Sequence, residues 1–383
     1  MNDANSQPVL FDTLTADNGS RIGIVTLNAE KTLNALSLEM IDLLAAQLTA
    51  WSSDVGIAVV VLQAAGEKAF CAGGDLQNLY QSMLAHHASD EKDDIRANRY
   101  AGDFFAREYR LDYLIHTYPK PILCWGHGIV MGGGIGLMAG ASHRVVTEKS
   151  RLAMPEIGIG LFPDVGGTWF LNRMPGKLGL FLALTGAMIN ASDAKFTKLA
   201  DYAIAQADKQ TVLDALLRQP WNASQSENNE LLGAVLRMTE RSLELPSGPL
   251  RNHFDVINTL CSKESLAQIV AAITALETDD AWLNKAAASL AAGSPGSVHL
   301  AYLLLQRAPH LSLADVLRME YVAALHCAAH PDFAEGIRAL LIDKDQRPHW
   351  QPASLGEVRS DWMAEFIVSP WSADAHPLAN LGN

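Results

Sequence analysis

Two acids in this chain sit where acids are rarely left. Glu156 and Asp164 lie in M-P-E-I-G-I-G-L-F-P-D-V-G-G-T (154–168), which is otherwise apolar, proline, glycine or threonine. Burial disfavours the charged form of a carboxyl, so unpaired acids in such surroundings have raised pKa values. Two glycine clusters lie upstream, C-A-G-G-D-L (71–76) and M-G-G-G-I-G-L (131–137). Each follows a strand-like run and precedes a helix-like one. Free N–H groups at a helix start favour a developing negative charge. Two of them converging on one carbonyl would make an oxyanion hole. Bland readings stand beside these. The glycines also suit ordinary tight turns, Asp164 suits an N-cap before V-G-G-T-W-F, and Glu108 in F-F-A-R-E-Y suits a solvated helix face.

Other chemistries find less support. G-I-G-L-M-A (134–139) can be forced onto a dinucleotide fingerprint, but no acid follows the next strand at ribose-binding spacing. His116, His127 and His143 lack metal-ligand spacing, so no metal is expected. His127, between two glycines, either lines a site or is structural. No serine sits in a G-x-S-x-G elbow. Cys71, Cys124, Cys261 and Cys327 are far apart and read as reduced, buried thiols rather than a disulfide framework.

The elements that must position these residues alternate at first. Residues 9–28 read as two strands around D-N-G-S. Ser37 caps a helix with Leu38, Ile41, Leu44, Leu48 and Trp51 at helical spacing. The β-branched run at 56–64 is a strand covered on both faces. A polar, mixed-charge segment at 85–100 reads as a mobile surface segment, and the next helix ends before Pro119. P-I-L-C-W-G-H-G then delivers the glycine triplet. Beyond about residue 206 the pattern turns helical, at 209–218, 228–243, 264–277, 280–291, 297–307 and 312–329. This gives an α/β core over 1–205, a mostly helical region over 206–383 and an extended tail in the final fifteen residues.

Composition bounds the function. A net charge of −13 argues against a nucleic-acid or anionic-membrane binder. No apolar run reaches the roughly 18–20 residues of a membrane span. The first ten residues show no secretion or transit signal, so the cytoplasm is the expected compartment.

Four segments taken together resemble the crotonase (enoyl-CoA hydratase/isomerase) superfamily in order and spacing: K-T-L-N-A-L-S (31–37), K-A-F-C-A-G-G-D-L (68–76), H-G-I-V-M-G-G-G-I-G-L (127–137) and P-E-I-G-I-G-L-F-P-D-V-G-G-T (155–168). The resemblance implies a spiral of ββα turns followed by a helical C-terminal region. It also implies an acyl-CoA thioester as substrate, its carbonyl held by the N–H groups of Gly74 and Gly133. CoA itself would run near Lys31, Ala35, Leu36, Lys68 and Ala72, and no separate cofactor is needed. A homo-oligomer is implied by the same analogy.

One departure points to a branch. Hydratases of the superfamily carry a glutamate two residues beyond the glycine triplet, where this chain has Gly136. Glu156 matches the other hydratase acid, and Asp164 falls where hydratases have a small residue. That pair is similar to the 3-hydroxyisobutyryl-CoA hydrolase branch. So are Phe104, Phe105, Glu108 and Tyr109 in F-F-x-x-E-Y, and D-F-x-E-G-x-R-A-x-L-I-D-K-D at Asp332–Asp345. With these the resemblance spans about 20–352. It implies thioester hydrolysis in valine catabolism, with Glu156 as nucleophile or general base. Asp164 would bind the 3-hydroxyl or orient water, and Glu108 would confine that polar end. A hydratase or isomerase, or a non-catalytic acyl-CoA binder, is the alternative.

Overall fold

A computed structural model describes residues 7–240 and 243–382. The opening M-N-D-A-N-S, part of the stretch read for a leader, lies outside the described residues. So do residues 241 and 242, near the end expected for the 228–243 helix.

The described residues form ten strands: β1 (Val9–Thr15), β2 (Arg21–Leu27), β3 (Ile57–Ala64), β4 (Ala69–Cys71), β5 (Ile122–Gly126), β6 (Ile129–Met131), β7 (His143–Val146), β8 (Arg151–Ala153), β9 (Ile189–Asn190) and β10 (Tyr202–Ala203). They build a six-stranded sheet, β1-β2-β3-β5-β7-β10, and a four-stranded one, β4-β6-β8-β9. Only the β1–β2 pair in the larger sheet is antiparallel; the rest of that sheet runs parallel. Among the helices interspersed with the strands are α1 (Leu38–Ser53), α2 (Leu76–His87), α3 (Arg99–His116) and α4 (Gly133–Gly140). All strands precede residue 204, and the later elements are helical, as the change of pattern near 206 predicts.

Packing gathers the chain into two compact units that interleave in sequence. One takes residues up to Gly74, Leu111–Leu152 and Ile189–Asn252. The other takes Asp75–Arg110, Ala153–Met188 and everything from His253 onward. This grouping by packing is not the grouping by element type at 205/206. Helices Lys209–Leu217 and Gln225–Thr239 belong to the unit of the sheets.

In the first unit β3 is buried along nearly its whole length, as its unbroken apolar run requires. Val212, Leu216, Leu232, Val235 and Leu236 from those two helices join Ile22, Val59, Val61, Leu123 and Val145 of the sheet in one core. Ser37 caps α1 by accepting from the Met40 N–H at 3.2 Å. The helix buries Met40, Ile41, Leu44, Leu48 and Trp51. Trp51 meets Phe11 edge to face at 6.1 Å. Leu38, counted among the apolar face, is only half-buried.

In the second unit the helix Leu313–Ala329 is buried along Val316, Leu317, Glu320, Tyr321, Ala324, Leu325 and Ala328, a core-facing stripe. One member of that stripe is an acid. The segment 85–100 holds the end of α2, the start of α3 and turns between them, in which Arg96 pairs with Asp94 at 2.8 Å. The expected extended tail is instead a turn-rich segment with a short 3-10 turn at Ala373–Ala375. It buries His376, Leu378 and Leu381. Arg110 and Arg318 donate to its carbonyls at Pro377, Leu378, Ala379 and Leu381. The sequence hides this because both arginines lie far from the segment they bind.

The two glycine turns of the first unit are set by close packing. β4 and β6 pair in parallel, Ala69 opposite Ile129 and Cys71 opposite Val130, so both strands end on the same side. A Cβ on Gly134 would lie 2.4 Å from the Cys71 carbonyl oxygen. Gly134→Ala is therefore expected to cost about 1–3 kcal/mol, the usual range for overpacking. Urea unfolding against wild type measures it. An unchanged midpoint would show that the turn can give way.

Candidate active site

The backbone donors lie in the first unit. β4 runs into Gly73 and Gly74, and β6 runs into Gly132 and Gly133, the first residue of α4. Both turns are entered by a glycine of positive φ, +111° at Gly73 and +49° at Gly132. Side chains are strained there, and such a residue swings the next peptide away from the strand ladder. The next peptide N–H belongs to Gly74 in one turn and to Gly133 in the other. Among the described residues no protein acceptor takes either N–H. Two parallel strands thus present two unpaired donors on the same side of one small sheet.

The segments expected near CoA pack around the first of these turns. The Leu36 N–H donates to the Gly73 carbonyl at 2.8 Å, and the Ala72 N–H to the Leu33 carbonyl at 3.1 Å. Leu33 and Asn34 have φ near +55°. Buried Asn34 holds this bend, accepting from Ala29 N–H at 2.8 Å and donating to the Ala65 and Ala69 carbonyls. Lys31 and Lys68 are exposed, Ala35 and Ala72 half-buried, and Leu36 buried. His127 is buried, with Nε2 at 2.9 Å from the Gly66 carbonyl oxygen, the structural alternative of its two readings.

The acids gather in the second unit. Glu156 opens a short 3-10 turn, Glu156–Ile159, and is 5% exposed. Its pKa is well above the carboxylate range, chiefly through desolvation, then through the charges of Asp164 and Glu108. Among the described residues no hydrogen-bond partner reaches its Oε2. Asp164 is equally buried and pushed up to about 6 by desolvation, against the hydrogen bond from the Tyr109 hydroxyl, which donates to Oδ2 at 2.7 Å. Glu108 is also buried, its pKa well raised by desolvation and then by Asp164. The solvated reading of Glu108 is thus not what the fold shows. Neither is the N-cap reading of Asp164: the helix Gly167–Leu171 is capped by Gly166 without a side-chain bond.

The C-terminal block touches the turn that carries Glu156. The Ser294 N–H donates to the Ile157 carbonyl at 2.9 Å. A Cβ on Gly336 would lie 2.4 Å from the Ile159 carbonyl carbon. The D-F-x-E-G pattern therefore has a steric reason: the backbone at 336 rests directly on the backbone at 159.

In the sequence Tyr109 stands only as part of a motif, and Glu320 belongs to none. Glu320 is fully buried and accepts from the N–H of Gly166 (2.8 Å) and of Thr168 (2.9 Å). Its one sequence signal is an acid on the apolar stripe of a long helix.

Matched by the family model of enoyl-CoA hydratase/isomerase over residues 22–367, the chain belongs to that family. Among its curated relatives is the 3-hydroxyisobutyryl-CoA hydrolase, mitochondrial, of Danio rerio, 38% identical over 94% of this chain and 89% of that protein. The Homo sapiens protein of the same name is 36% identical over 92% and 87%. Two solved structures are similar throughout. A carnitinyl-CoA dehydratase from Mycobacterium thermoresistibile has TM-score 0.83 and 34% identity, covering 99% of this chain and 100% of that one. An enoyl-CoA hydratase from Rhodobacter sphaeroides has TM-score 0.81 and 33% identity, covering 95% and 98%. The crotonase-like α/β fold with its helical C-terminal region is therefore the fold of this chain. Among the described residues no helix is long and apolar enough to cross a membrane.

The buried acids make stability depend on pH in a stated direction. Asp164 titrates near 6 when folded, against an ordinary 3.8. The folded chain thus binds this proton more tightly than the unfolded one. That contribution is complete below about 4 and lost as pH rises through about 6. A carboxyl displaced that far from its ordinary value contributes roughly 2–3 kcal/mol. Urea unfolding of wild type and Asp164→Asn between pH 4 and 7 should show wild type losing that much relative to the variant. Parallel profiles would mean that Asp164 keeps an ordinary carboxyl pKa in the folded chain.

Proposed function

We propose that the chain hydrolyses a short-chain 3-hydroxyacyl-CoA thioester, most of all 3-hydroxyisobutyryl-CoA, releasing 3-hydroxyisobutyrate and CoA. The observation that carries this reading is Glu156: a buried acid with an unsatisfied oxygen, beside a second buried acid, in a chain with glycine at 136. The names of the curated relatives support it. In this reading the N–H groups of Gly74 and Gly133 take the thioester oxygen as it becomes negative. Each such donor stabilises a transition state by about 2.7–4 kcal/mol.

Glu156 supplies the attack. Its carboxylate adds to the carbonyl carbon, the C–S bond breaks, and the CoA thiolate leaves and is protonated. Water then opens the mixed anhydride at the protein's own carboxyl or at the acyl carbon. In the alternative route Glu156 takes a proton from water, which attacks the acyl carbon itself. The family resemblance favours the covalent route. Asp164, oriented by Tyr109, accepts from the substrate's 3-hydroxyl, and Glu108 closes off that polar end. A site built for a hydroxyl rejects the deoxy analogue, whose binding would leave the acids unpaired. Place in valine breakdown, a cytoplasmic location and a homo-oligomer belong to the same proposal.

The names of the two solved structures favour a second reading, hydration or dehydration of an acyl-CoA. Crotonyl-CoA and 3-hydroxyisobutyryl-CoA, followed by enoyl absorbance and free thiol, separate the two. Thiol release from the hydroxyacyl thioester is expected, and enoyl loss without thiol release would sink the hydrolase reading. Glu156→Gln should lower thiol release about 10²–10⁴-fold or more, the range for loss of a positioned base, with acyl-CoA binding kept. One turnover in ¹⁸O-water, read by mass spectrometry of the Glu156 peptide, tests the covalent route. Label in that peptide is expected if water opens the anhydride at the protein carboxyl.

A further inference from the structure

We propose that Glu320 is a positioning residue for Asp164, clamping the turn 164–168 so that the Asp164 carboxyl keeps one direction. This rests on the role given to Asp164 above. The turn is one the backbone would not choose alone. Val165, β-branched, has φ +52° and Gly166 has φ +81°. A non-glycine residue in that region costs on the order of 1–3 kcal/mol and persists only where the surroundings impose it. The turn is tight, with the Gly167 N–H donating to the Asp164 carbonyl at 2.6 Å.

The helix that follows starts without a side-chain cap of its own. Two of the N–H groups at that start, those of Gly166 and Thr168, go instead to Glu320, one to each carboxyl oxygen. The cap comes from the helix Leu313–Ala329, more than 150 residues away in sequence. That helix also packs on the turn through Leu313, whose side chain would sit 3.3 Å from a Cβ at Gly166. Both Glu320 oxygens are used, the residue is wholly buried, and the Thr168 side chain adds a further hydrogen bond from the same turn. A carboxyl group can accept at both of its oxygens. A glutamine of the same shape would turn an NH₂ toward one of the two N–H groups.

The test is acyl discrimination, because a merely structural defect lowers turnover of all substrates alike. Thiol release is measured with 3-hydroxyisobutyryl-CoA and with isobutyryl-CoA for wild type, Glu320→Gln, Asp164→Asn and the double variant. Glu320→Gln is expected to lower the hydroxy-to-deoxy ratio of kcat/KM at least tenfold. In the double variant the ratio should match that of Asp164→Asn alone, since residues acting through one another are not additive. An unchanged ratio in Glu320→Gln, or additive losses, would overturn the proposal. If Asp164→Asn itself leaves the ratio unchanged, the role of Asp164 falls first and this proposal with it. Should Glu320→Gln not fold, the comparison is made in a Val165→Gly background, which removes the left-handed cost, and the same ratios decide.

Discussion

Everything distinctive about the second unit follows from keeping carboxyl groups out of water. Glu108, Glu156, Asp164 and Glu320 are all buried, and the principal influences on them are desolvation, one another, the hydroxyls of Tyr109 and Thr168, and backbone N–H groups. Among the described residues no cation is one of those influences. Taking a carboxylate into a low-dielectric interior without a counter-charge is expensive, and a protein meets that cost by leaving protons on some of the group. The charges of these acids raise one another's pKa values, so the ionisation of one bears on its neighbours. Tyr109 lowers the cost for Asp164 by donating to it. Two backbone N–H groups do the same for Glu320.

The first unit meets the opposite requirement. Among the described residues it leaves the Gly74 and Gly133 N–H groups without a protein acceptor. Parallel pairing of two short strands, each ending in a left-handed glycine, achieves this with backbone alone. The larger sheet, covered by α1 on its Trp51 side and joined by two later helices, supplies the rigidity. Donors built from backbone need no side chain to be held in a rotamer.

Much of this was readable in the chain. The glycine turns, Glu156, Asp164 and the helical second half came from motifs in local sequence, because spacing and turn chemistry are local properties. Strand and helix limits were close for the same reason. What escaped detection depended on distant partners. Glu320 reads as one more helix glutamate until the Gly166 and Thr168 N–H groups are seen against it. Asp164 reads as an N-cap until Val165 is found in a left-handed conformation that hands the cap to Gly166. The tail reads as loose because the arginines that fasten it stand at 110 and 318. Packing likewise drew helices 209–239 to the sheets, although their pattern matched the helical region.

The interleaving of the two units bears on how the chain comes to be folded at all. Its path passes between them five times, at Gly74, Arg110, Leu152, Met188 and Asn252. Neither unit is a continuous stretch that a ribosome finishes early. The sheet unit waits for residues near 250, and the acid-bearing unit waits for helices beyond 310 while its earlier pieces stand exposed. Closing such long loops before their contacts form slows folding and lengthens the life of sticky intermediates. No single cut in the sequence separates one unit from the other, since each is assembled from three segments.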